Sequence, residues 1–254
     1  MWKKLRIAIL LFILATVGLN AWRAHAQTRD WSKTLQVSIF PLNGDGSPAA
    51  AARIARLQEE DFKDIEAFFT EQAQAHGVSN PRPLRVSLQP ALSALPPAAP
   101  MQRSGLDVLL WSLKLRYWAW QQPDGVPRAH VRAFVIFWDS DANGGRVPDS
   151  HGLAKGQIAI SNVHSTRAMQ HSNNVVIAHE ILHTMGATDK YGPDLRPQYP
   201  AGFAEPDANP RYPQRLCEIM AGRTPVSETE LEIPRSLAEC LIGPLTAQEV
   251  GMRH

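Results

Sequence analysis

His179-Glu180-Ile181-Leu182-His183-Thr184-Met185-Gly186-Ala187-Thr188-Asp189 combines residue types that bind metal with a spacing that brings them together. Each helical residue turns about 100°, so two histidines four positions apart come within about 40° of one line along the helix. Both imidazoles can then reach a single ion. Glu180 sits beside the first histidine, where a carboxylate can take a proton from an activated water. Gly186 follows the second histidine by three residues and can adopt the left-handed conformation that ends a helix. Such a turn returns Asp189 toward the histidines as a third ligand. Glu205 and Glu218 are the alternative carboxylates, each requiring a longer excursion of the chain. Three protein ligands and one open position make a catalytic zinc centre, not a closed structural one.

Downstream, Cys217-Glu218-Ile219-Met220-Ala221-Gly222 places a methionine in a turn-prone stretch. With the HExxHxxGxxD layout, this resembles the metzincin clan of zinc metallopeptidases over roughly residues 173–222. The resemblance implies zinc ligands at His179, His183 and Asp189, a general base at Glu180 and a Met-turn at Met220. The third ligand is Asp, where most of the clan has His. No tyrosine closely follows Met220, and Tyr191 is the candidate to take such a residue's place.

The N-terminus is of another kind. Lys3, Lys4 and Arg6 precede an apolar run from Ile7 to Leu19, and Ala24-His25-Ala26 offers a cleavage site. This is the plan of a secretory signal peptide. If the run continues through Trp22 it serves as an uncleaved anchor, residues 7–22. Both readings export the rest of the chain, to the periplasm or beyond, and confine membrane contact to this segment. Removing the segment's four basic residues from the chain's 26 leaves 22 against 24 acidic ones, a net charge of −2. No nucleic-acid footprint remains. The only cysteines, Cys217 and Cys240, form a possible disulfide in an oxidising compartment.

The elements that must position the motif follow from periodicity. Strands are expected at Leu35–Leu42, Leu84–Leu88, Val131–Trp138 and Gln157–Val163. A long helix is expected from Pro48 to about Ala75, stopped by Gly77. Residues 106–120 fit a helix or a strand, and Ser104 with Asp107 as a capping box favours the helix. Trp111, Trp118, Trp120 and Trp138 read as packing residues. The motif helix begins near Ser172, and the six prolines between 193 and 213 forbid regular structure after it. A last short helix is expected from Thr246, with Glu249 completing a second capping box. His171 lies off the ligand face, while His164 could face substrate. Asp139, Asp141 and Asn143 read as a tight turn, since Ser150 stands where a calcium loop needs an acid.

The order is that of an α/β fold. By the resemblance, this is a metzincin-like twisted sheet with backing helices and an active-site helix, then a loop-rich C-terminal subdomain. The expected division is 1–26 as targeting segment, 27–186 as upper subdomain and 187–254 as lower. The expected function is zinc-dependent hydrolysis of peptide bonds, with substrate along an edge strand at Gln157–Val163. The alternatives are a non-proteolytic zinc-binding envelope protein and a zinc amidohydrolase acting on a non-peptide amide.

Overall fold

Five segments form the strands β1 (Leu35–Asn43), β2 (Leu84–Leu88), β3 (Val131–Trp138), β4 (His151–Leu153) and β5 (Ile158–His164), of which β1, β3 and β5 are rich in β-branched or aromatic residues. In the computed structural model they make one sheet, ordered β2-β1-β3-β5-β4. β4 runs antiparallel to β5, and the other pairings are parallel. The structure describes residues 26–100, 105–142, 144–153 and 156–253, with scattered positions before residue 26. The expected targeting segment and Ser104 therefore lie largely or wholly outside the described residues. Among those described, no helix is long and apolar enough to cross a membrane.

β3 is apolar on both faces and sits at the centre, as a strand covered on both sides must be. Alternation sends Val37, Ile39, Ala133, Val135 and Phe137 to one face, and Phe40, Leu42, Phe134 and Ile136 to the other. The first face packs under helices α1 (Pro48–Ile54), α2 (Lys63–Ala75) and, further along the chain, the motif helix. The second lies under α3 (Gly105–Gln121), through Leu115 and Ala119. Trp111, Trp118 and Trp138 pack against this second cluster, but Trp120 is 74% exposed, contrary to the packing expected of it.

The long helix expected between 48 and 75 is broken. Gln58 is extended, and its N–H donates to Asp61, which opens a new 3₁₀ turn at Glu59–Phe62. Arg53, buried at the end of α1, pulls this break inward. It pairs with Asp61 at 3.3 Å and donates to Gln170 Oε1 at 2.6 Å.

The motif helix, α4 (Gln170–Met185), runs beneath β5 and β4. Beyond it the chain is loop, with two short ladders: β6 (Cys217–Glu218) beside β9 (Cys240–Leu241), and β7 (Thr224–Pro225) beside β8 (Leu231–Glu232). Cys217 and Cys240 occupy one rung of the first ladder, both as buried thiols. The last helix, α5 (Pro244–Glu249), starts two residues earlier than expected, after Gly243. Thr246 is not its cap. The Thr246 hydroxyl donates instead to Glu218, at 2.7 Å.

The expected edge strand is also corrected. β5 is paired on both sides, and β4 occupies the edge.

Candidate metal centre

α4 carries His179 and His183 on one face, and their ring centroids are 4.7 Å apart. It ends as its sequence demands: Gly186 has φ 107°, a conformation that L side chains resist, and the chain reverses there. The reversal returns Asp189 to the histidines. Asp189 Oδ1 lies 3.3 Å from His179 Nε2 and 3.2 Å from His183 Nε2. Ligand atoms about 2.0–2.1 Å from a tetrahedral zinc ion stand about 3.3 Å from one another, a separation that the two Asp189–histidine distances match. All three ligand atoms lie within 4.8 Å of one another.

The outer nitrogens are fixed as well. His179 Nδ1 is 2.9 Å from the Ile219 carbonyl, and His183 Nδ1 is 2.8 Å from the Ala187 carbonyl. A carbonyl only accepts, so both Nδ1 atoms carry a proton and both Nε2 atoms face inward toward Asp189. Metal-binding histidines are held in this way by a second layer of hydrogen bonds.

Glu180 is buried, and its Oε2 has no hydrogen-bond partner. Burial pushes its carboxyl above the ordinary range, against the pull of the two histidines. It lies where α4 meets β4. A Cβ on Gly152 of β4 would stand 2.4 Å from His183 Cβ and 3.1 Å from Glu180 Oε2. Only glycine permits this approach of edge strand to motif helix.

Glu205 and Glu218 are placed elsewhere. Glu205 pairs with Arg215. Glu218 is fully buried and accepts from the Ala221 and Gly243 N–H groups and from Thr246. It thereby anchors the turn Glu218–Gly222. In that turn Met220 is buried and Ile219 presents its carbonyl to His179. Tyr191 lines a cleft beside His179; burial and the adjoining Asp189 carboxylate push its phenol up to about 12. His171 pairs with Asp64 away from the site, and His164 exchanges hydrogen bonds with Asn173 through its backbone.

Two residues not foreseen complete the centre. Lys190, nearly buried, donates from Nζ to the Thr188 carbonyl, to Thr188 Oγ1 and to Glu249 Oε2, all within 2.8 Å. Glu249 also accepts from the Thr188 N–H and hydroxyl. Lys190 N–H donates to the Met220 carbonyl. The residues on either side of Asp189 are thus fastened to α5 and to the Met220 turn. Were His179, His183 and Asp189 to hold zinc, Glu249→Gln should weaken its binding by about 10–100-fold, the usual cost of losing an outer partner, while both histidines stay in place. A competition titration against a metallochromic chelator reads this directly.

The electrostatics set a pH dependence. Burial alone would push the His179 imidazole down, but the hydrogen bond to Asp189 and the nearby carboxylates raise it from 6.5 to about 9. Asp189 is held well below the usual carboxylate range: its two histidine partners outweigh the effect of burial. Metal binding requires neutral imidazole, so a zinc ion entering between these side chains would have to displace the His179 proton. Apparent zinc affinity should rise about tenfold per pH unit toward pH 9 and flatten above it. Flattening already near 6.5, the ordinary value, would contradict this. The same proton stabilises the metal-free fold. That contribution is full below 6.5 and is lost as pH rises through about 9.

A cleft of about 400 Å³ adjoins His179, walled by Val175, Val176, Leu195, Ile219 and Ile233, with Arg223 also lining it. A larger cleft of about 630 Å³ lies between α3 and the loop Leu95–Pro100, and none of the three ligand residues reaches it. No protein-family model matches the chain, and no curated protein matches it.

Proposed function

We propose that this chain is an exported zinc metallopeptidase of the metzincin type. The observation that carries the reading is the convergence of two outward-held imidazoles and Asp189 beside a buried carboxylate oxygen with no partner. His179, His183 and Asp189 would hold the zinc. When bound, it supplies a polarised scissile carbonyl and a water of lowered pKa. Glu180 takes the proton of the attacking water and returns it to the departing amine. Burial suits it to both halves of that transfer, because a raised carboxyl holds the proton long enough to deliver it.

Substrate lies extended along the free side of β4, one strand beyond the edge first expected, since pairing with a sheet edge is an ordinary mode of peptide recognition. The apolar cleft beside His179 takes one substrate side chain of moderate size. Export follows from the basic and apolar N-terminus, whether cleaved or retained as an anchor. In an oxidising compartment the rung shared by Cys217 and Cys240 suits a disulfide, which would brace the Met220 turn.

Incubation of the zinc-loaded protein with a diverse peptide library tests the proposal, with Glu180→Gln as the paired control. Cleavage by the first alone is expected. Full zinc content with no cleavage by either would leave a binding protein or an amidohydrolase of non-peptide substrates.

A further inference from the structure

The break between α1 and α2 leaves a cleft of about 410 Å³ that none of the three ligand residues lines. Arg53 and Arg56 reach it from the end of α1, and Gln58 and Asp61 from the break. Ser165 and Arg167 close it from the other side, where β5 passes into α4. The amino end of a helix is itself a favourable place for negative charge.

The charges in the cleft do not balance. Asp61 is fully used: one carboxylate oxygen pairs with Arg53 at 3.3 Å, and the other accepts from the Gln58 N–H. Arg56 and Arg167 are exposed and pair with no acid among the described residues. Of the neighbouring acids, Glu60 is taken by Lys63, and Glu59 does not line the cleft. Two guanidiniums are left over. Exposed arginines are ordinarily satisfied by water, but the wall between these two is not exposed. Ser165 is only 7% exposed, and its hydroxyl has no hydrogen-bond partner among the described residues. Arg53 is buried as well, and its Nε has no acceptor. Buried polar groups left unpaired cost free energy, which a ligand rich in acceptor oxygens would recover.

We infer that this cleft binds a doubly charged phosphate group, free or as the ester of a small molecule. The count of charges selects it. A carboxylate brings one charge and two oxygens, and would leave one guanidinium unmatched. A phosphate monoester brings nearly two charges and three acceptor oxygens, enough for Arg56, Arg167 and the Ser165 hydroxyl together. Guanidinium is suited to such oxygens because its donors form a rigid fork. The recess has the volume of a small-molecule site. Arg53 donates to Gln170, and Gln170 and Asn174 donate to the Asp61 carbonyl, so a phosphate held here clamps the end of α1 to the start of the motif helix.

Thermal unfolding of the full chain, titrated with inorganic phosphate at constant ionic strength, tests this. The midpoint should rise by about 5–10 °C at about 100 times the dissociation constant. The rise should be equal in zinc-free and zinc-loaded protein, which separates the result from that of the proposed hydrolysis. Arg56→Gln with Arg167→Gln should abolish the rise and leave the phosphate-free midpoint unchanged, because neither side chain has an acidic partner to lose. Arg85→Gln, at an exposed arginine of β2, should keep the rise. Ser165→Ala should weaken phosphate binding about tenfold. A larger rise with glycerol phosphate than with inorganic phosphate supports an ester as the ligand, and a smaller one supports the free ion. No rise at about 10 mM phosphate would overturn the inference. A rise kept by the double arginine variant would overturn it too, by placing the phosphate elsewhere. An equal rise with acetate would overturn the choice of a doubly charged ligand.

Discussion

Glu180→Gln should keep one zinc per chain and lose peptide hydrolysis by about 10²–10⁴-fold, the range typical of a positioned acid–base group. Glutamine has the volume of glutamate and keeps an acceptor oxygen, but it cannot carry the proton from water to amine. The three ligand atoms come from His179, His183 and Asp189, and none is disturbed by this change. Stability should hold or rise slightly, because Glu180 Oε2 is buried without a partner and neutralising it removes a desolvation cost. Hydrolysis, metal content and thermal unfolding are measured on the same preparation. A variant that kept most of its activity would remove Glu180 from the mechanism. One that lost its zinc would make it a structural support of the ligands.

The second large effect is on the metal itself. His183→Ala should remove stoichiometric zinc, and Asp189→Ala should come close to doing so. Each deletes one of three donors from a set that closes only when all three converge. Asp189→His should recover much of the loss, since imidazole presents a donor from the same turn. Glu205→Gln should leave zinc in place, because that carboxylate is occupied with the Arg215 guanidinium and the Arg215 N–H. Glu218→Gln should cost stability before metal: three donors converge on a fully buried carboxylate there, and an amide cannot accept from all of them. Metal analysis after dialysis against a weak chelator reads all five. Zinc retained by Asp189→Ala and lost by Glu205→Gln would assign the third ligand to Glu205.

What was legible in the sequence was whatever local spacing determines. The two histidines share a helix face by periodicity, and Gly186 reverses the chain because only glycine takes that backbone conformation at no cost. β1, β2, β3 and β5 announce themselves as apolar runs. β4 does not. Its three residues, His151, Gly152 and Leu153, show no alternation, and their strand character comes from pairing with β5. That is why the sheet edge was first placed one strand inward. The break between α1 and α2 was hidden for a related reason. Leu57 and Phe62 continue the helical period, while the interruption is held by Arg53 reaching Gln170, a partner more than a hundred residues away. Thr246 and Glu249 have the spacing of a capping box, yet each spends its side chain on a distant segment. Where a tertiary partner outbids a local one, a single sequence carries no mark of it.

The link between Glu249 and the residues flanking Asp189 gives the centre an order of assembly in time. A ribosome adds about 5–20 residues per second, so the histidine pair is made several seconds before Glu249 exists. Until α5 docks, the loop that bears Asp189 lacks its ties to Glu249 and is held by the Lys190 N–H on the Met220 carbonyl, so the nascent chain would compete less well for zinc. On the proposed function, hydrolytic power would therefore come last, once the fold around it has closed. The same dependence works in reverse. A cut that released α5 from the folded protein would disarm the centre without touching any residue that meets metal or substrate.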